Sequence, residues 1–213
     1  MIAALIAAVA FASPATYTYS ASLAGQPVGQ WTIGVKNDAG QTVLDEKSSA
    51  NFGGMALGAT ATLTLDPNLA PVRYDGRYSA PGQSINVTVA VASNGATVTS
   101  PLATTSGPLQ LAPGTTHFAI VEPGLLAGLF ALPAQLNAWK ESRVTWISPT
   151  SASSQFLSVG TAATPARPAG VPANDAVLSI DRPIAVTVWY DPSSFVPDRI
   201  DVPSNKAVLT RVH

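Results

Sequence analysis

Apolar and polar residues alternate along most of this chain with a period of two, the pattern of strands that bury one face. The stretch 17–23 places Tyr17 and Tyr19 on one face, and 28–36 does the same with Trp31, Ile33 and Val35. In 56–65, Leu57, Ala59, Ala61, Leu63 and Leu65 alternate against Gly58, Thr60, Thr62 and Thr64. Further strands are predicted over 41–49, 72–79, 84–92 and 96–99. Turn signals separate them: Gly25-Gln26-Pro27, Asn37-Asp38-Ala39-Gly40, Asp66-Pro67-Asn68 and Asn94-Gly95. Turns every eight to twelve residues between short amphipathic runs predict an antiparallel meander. A Pro-, Gly-, Ser- and Thr-rich break at 101–116, with one short strand at 109–111, interrupts it. Strands resume at 117–121 and continue at 143–147, 155–160, 176–180, 184–190, 198–202 and 206–212. The Pro-containing stretch 161–174 reads as a loop.

One segment departs from this period. Residues 123–139 hold no charge and carry Leu125, Leu129, Leu132, Leu136 and Trp139 along one helical face, with Leu126 and Phe130 beside it. Such an arc is wider than a surface helix requires, so the helix must be covered by the sheet. Glu122 and Pro123 suit a helix start, since a carboxylate complements the positive end and proline fits the first turn. Pro133 predicts a kink or a split in mid-helix. With Pro133, Gln135 and Asn137 inside it, the segment is short and polar for a membrane span, and burial in protein is the expectation. The predicted fold is therefore mainly β: an antiparallel meander forming a highly curved, unclosed barrel around one apolar helix. A gap beside Leu129–Leu136 is expected where a kink lifts the helix from the sheet.

Composition narrows the compartment. Ile2 to Ala12 is an unbroken apolar run, and Ser13-Pro14-Ala15 offers small residues before Thr16. This reads as a signal peptide over 1–15 ahead of a single β-rich domain over 16–213. The chain has no Cys, which excludes a lipid-anchoring cysteine, thiolate metal sites and thiol catalysis. Disulfide-free export suits a bacterial periplasm or exterior. Charged residues make up 11% of the chain and its formal net charge is -1. That balance excludes a nucleic-acid partner, which needs clustered Lys and Arg. The sequon Asn86-Val87-Thr88 falls in a predicted strand and carries no weight.

The order of strands, one buried helix and more strands behind an export segment resembles the unclosed barrel of the periplasmic lipoprotein carriers LolA and LolB. The opening Tyr17-Thr18-Tyr19-Ser20 with Gly25-Gln26-Pro27-Val28-Gly29, and the ending Val188-Trp189-Tyr190-Asp191-Pro192, are similar to uncharacterised secreted bacterial families of the same sheet type. The resemblance is one of layout and transfers no functional residue. It implies an apolar cavity between sheet and helix, the space in which those carriers hold acyl chains. Without a lipidated Cys, an anchored acceptor of the LolB kind is ruled out.

No catalytic, metal or cofactor signature stands out. His117 is the one internal histidine, no Gly-x-Ser-x-Gly elbow accompanies it, and it reads as a polar residue at a strand end. His213 is terminal. Asp181, Asp191, Asp198 and Asp201 cluster late in the chain; Asp181-Arg182-Pro183 and Asp191-Pro192 read as turns. Trp31, Trp139, Trp146 and Trp189 could stack on sugars, but core packing is the plainer reading. The expectation is a non-enzymatic, exported protein that binds a lipid or other apolar small molecule. Its pocket wall would be Leu125, Leu126, Leu129, Phe130, Leu132, Leu136 and Trp139. A structural or protein-interaction domain with a filled core is the first alternative, and a hydrolase using the C-terminal carboxylates the second.

Overall fold

The computed structural model describes residues 14–92, 95–103, 108–122, 124–160 and 165–213. Residues 1–13 of the predicted signal peptide, Asn94 of the last predicted hairpin turn, and Pro123 lie outside the described residues. From the amino end run β1 (Ala15–Leu23), β2 (Gln26–Asp38), β3 (Gln41–Phe52), β4 (Met55–Leu65), β5 (Pro71–Ala80), β6 (Gln83–Ala92) and β7 (Gly95–Thr99). Next come β8 (Phe118–Ile120), the helix α1 (Ala127–Trp139) and β9 (Arg143–Ser148). The chain ends with β10 (Ser153–Val159), β11 (Ala176–Arg182), β12 (Val186–Tyr190), β13 (Pro197–Val202) and β14 (Ala207–Val212).

These strands form one sheet in the order β7-β6-β5-β4-β3-β2-β1-β14-β13-β12-β11-β10-β9-β8. Two meanders grow outward from a central seam where β1 pairs with β14, with Tyr19 opposite Arg211 and Ala21 opposite Leu209. Hairpin chemistry sets the register. Ala39 and Gly40 both have positive φ, as the two-residue turn joining Asp38 to Gln41 requires. The segment read as a break in the pattern carries the chain from β7 to β8, at opposite ends of the strand order. It bridges the two ends of the sheet: Leu109 pairs with Ala96 of β7, and the Ala112 N–H donates to the Thr145 hydroxyl of β9 at 2.8 Å.

The sheet is highly curved and does not close, and β8 at one end packs against β5. All pairings are antiparallel except β8 with β9, which is parallel. The reason is local: α1 is the crossover between these two strands, and parallel neighbours need such a connection. The concave face holds the core, including Tyr19, Ile33, Leu44, Leu63, Tyr74, Val89, Val188 and Ile200. Within it lies α1, in contact with β3, β4, β8 and β12 and buried on every side from Ala127 to Leu136.

The helix starts later than predicted. It begins at Ala127, because Gly124 adopts φ of 85° and Glu46 of β3 takes the first helical N–H groups. Pro133 sits inside one continuous helix and does not split it. At the far end Lys140, with φ of 56°, donates its N–H to the Leu136 carbonyl at 3.0 Å and closes the last turn. No helix among the described residues is long and apolar enough to cross a membrane.

Candidate functional site

The amino end of α1 is held by a side chain from across the sheet. In β3 the inward phase runs Leu44, Glu46, Ser48, Ala50, so a carboxylate falls on the buried face. The Leu126 N–H donates to both Glu46 oxygens (2.9 and 2.8 Å), and the Ala127 N–H donates to one of them at 2.8 Å. These bonds satisfy donors that a helix start otherwise leaves open. Burial nevertheless pushes the Glu46 carboxyl up to about 7, against the pull of those two N–H groups. The Trp31 indole N–H donates to the Gly124 carbonyl at 3.1 Å and ties the same turn to β2.

Glu122, expected at the helix start, points elsewhere. It is buried, and it accepts the Thr150 N–H at 2.8 Å and the Thr150 hydroxyl at 2.6 Å. Burial raises its pKa, with Thr150 pulling the other way. Nearby, the Tyr74 and Tyr78 hydroxyls are 3.0 Å apart, and burial raises both phenols. The Tyr74 ring lies over Gly76, where a Cβ would come within 2.7 Å of its hydroxyl oxygen.

Beside this helix start opens a crevice of about 450 Å³. Its walls come from both meanders and the helix. Ala21 and Leu23 of β1, Val28 and Trp31 of β2, and Ala207, Val208 and Leu209 of β14 form one side. Leu125, Leu126 and Leu129 form another, and Val121, Trp146, Ile184 and Val202 complete the apolar lining. Ser22, Glu122 and Asn205 are its polar members. A volume in this range with mostly apolar walls and a few polar groups is the usual make-up of a small-molecule site.

The seven wall residues expected from sequence thus occupy different places. Leu125, Leu126 and Leu129 line the crevice. Phe130 and Leu132 are fully buried in packing, Phe130 against the Tyr17 ring with centroids 5.4 Å apart. Leu136 borders a separate depression of about 340 Å³ with Pro133, Lys140, Glu141 and Tyr190. Trp139 serves as a tie: its indole N–H donates to the Asn68 carbonyl at 2.9 Å, and its ring stacks on His117 at 4.5 Å. The crevice therefore lies at the amino end of the Leu129–Leu136 stretch and meets it at Leu129. Glu46 is what sequence reasoning missed, although its acidic side chain in an inward phase was the available signal. The walls on β14 were missed because only the β1–β14 pairing brings them to the helix.

Asp181, expected in a turn, lies exposed near the end of β11 instead, and the other candidates are engaged structurally. His117 Nδ1 lies 2.8 Å from a Glu141 oxygen, and Thr116 also bonds Glu141. Asp191 accepts the Ser193 N–H and the hydroxyls of Ser193 and Ser194, the turn role expected for it. Asp201 pairs with Arg199 and Asp198 with Arg211, both at 2.8 Å. Asp175, on the loop before β11, meets Asp198; burial first, and that carboxylate next, push it up to about 6. Among the described residues, no three His, Cys, Asp or Glu side chains gather as a metal site. On the convex face a depression of about 500 Å³ is lined by Asp45, Thr60, Thr62, Asp75 and Arg77. Its carboxylates are already paired, Asp45 with Lys36 and Asp75 with Arg73.

No protein-family model matches this chain, and no curated protein matches it in sequence. Among solved structures it is similar to a beta-barrel-like protein of the domain of unknown function DUF1849 from Brucella abortus. That match has 12% identity and a TM-score of 0.48, and it covers 93% of this chain and 95% of the other.

Proposed function

We propose that this protein is an exported binder of apolar small molecules, which it holds in the crevice between α1 and the β1–β14 seam. The observation that carries this reading is a 450 Å³ space whose walls are almost wholly aliphatic and aromatic, set at the meeting of three structural units. The resemblance of the sequence layout to that of acyl-chain carriers, and the apolar run ahead of Ser13-Pro14-Ala15, support the same reading. The lining supplies contact area rather than reacting groups, so the role is binding. At about 0.8 kcal/mol per buried methylene, a chain of roughly ten carbons gains ~8 kcal/mol. The cost of immobilising it is subtracted from that gain, which leaves an expected affinity in the micromolar range or weaker.

The test is a titration with N-phenyl-1-naphthylamine, an uncharged probe whose fluorescence rises in apolar surroundings. Saturable binding is expected in the parent chain. Ala207→Trp places a ring in the crevice from a partly exposed strand position and should abolish that binding with the melting temperature little changed. Leu136→Trp, which borders the separate depression, should leave it intact. Equal binding in the parent and Ala207→Trp would place the probe elsewhere and end this reading.

A further inference from the structure

We infer that the crevice selects amphiphiles whose head group donates hydrogen bonds and is not an anion, with a long-chain amine as the preferred class. The inference rests on the crevice being an apolar binding site. Three observations carry it. First, a helix start facing a cavity ordinarily attracts an anion, because its free N–H groups and dipole favour negative charge. Here that position is filled: Glu46 holds the N–H groups of Leu126 and Ala127 at 2.8 to 2.9 Å. Second, among the described residues the ionisable one in the lining is Glu122, an acid, and no Lys or Arg lines the space. Third, the Trp31 indole N–H that could have served a ligand is spent on the Gly124 carbonyl.

A fatty-acid anion entering the crevice would meet the buried Glu122 carboxylate and, among the described residues, no charged donor. Repulsion between like charges in a space with little water is far stronger than in bulk solvent. An ammonium head meets the opposite field. A hydroxyl head falls between, as a donor without charge. The raised pKa values of Glu46 and Glu122 agree with this, since both carboxyls already sit where negative charge is poorly solvated.

The experiment compares dodecylamine and dodecanoate below their critical micelle concentrations, and dodecanol below its solubility limit, each displacing N-phenyl-1-naphthylamine at pH 8. The expected order of affinity is amine, then alcohol, then acid, with about tenfold or more between the ends. Glu122→Gln removes the lining charge but keeps an acceptor for Thr150, and should shrink that gap by several-fold, with the amine losing more affinity than the alcohol. Glu46→Gln, a second variant that keeps an acceptor at the helix start, should raise dodecanoate affinity. Dodecanoate binding as tightly as dodecylamine would overturn the selectivity and leave the apolar site standing. Failure of all three ligands to displace the probe would overturn both.

Discussion

Glu46 carries more of the fold than its place in a strand suggests. Its carboxylate is the partner for two buried N–H groups, and no other acceptor for them is supplied by the helix itself. Glu46→Ala should destabilise the chain by on the order of 2–5 kcal/mol, since each orphaned buried donor costs about 1–3. Chemical denaturation measures this, and Glu46→Gln should recover most of the loss. A pH dependence follows. Glu46, at about 7, and Asp175, at about 6, hold protons more tightly folded than their ordinary values of 4.5 and 3.8. Their contribution is fully present below those ordinary values and fades as pH rises through about 6 and then about 7. Melting temperature should therefore fall between pH 5 and pH 8, and fall less in Glu46→Gln. Asp191, held low by the Ser193 N–H, has the opposite sign and acts only in stronger acid. Gly128 offers a separate check: a Cβ there would lie 2.0 Å from the Ile120 carbonyl oxygen. Gly128→Ala should lower stability by about 1–3 kcal/mol despite alanine's better helix propensity.

The helix and the strands differ in how plainly they were written into the chain. Alternation located nearly every strand, because a sheet with one buried face leaves a two-residue period that turns such as Ala39-Gly40 punctuate. The leucines and Phe130 revealed a buried helix, but its start was displaced by the tertiary bond from Glu46, which no local pattern encodes. Likewise the pairing of β8 beside β9 depends on the crossover, not on either strand's own residues. Because α1 is buried all round, Phe130→Asp should abolish the cooperative thermal transition, an unpaired charge there having no partner. An unchanged transition would mean that the helix lies outside the core. On the opposite face, the Arg167 guanidinium covers the Trp189 ring at 4.9 Å and donates to the carbonyls of Pro172 and Asp175. Arg167→Ala should free the 165–175 loop, read as faster amide exchange there with little change in β1 to β6.

Two meanders zipped together along β1 and β14 create the crevice, because the seam sets residues from both ends of the chain against one helix. This is why the site was only half legible: Leu125, Leu126 and Leu129 belong to a local pattern, whereas Ala21, Ala207 and Leu209 meet them only through that long-range pairing. The central claim is that this space takes an alkyl chain. A crystal structure with a terminally brominated dodecylamine tests it most directly through the anomalous signal of bromine. One ordered bromine is expected between Leu126, just ahead of α1, and Ala207 or Leu209 of β14, lost in Ala207→Trp. Bromine ordered only on the convex face, or beside Leu136, would contradict it.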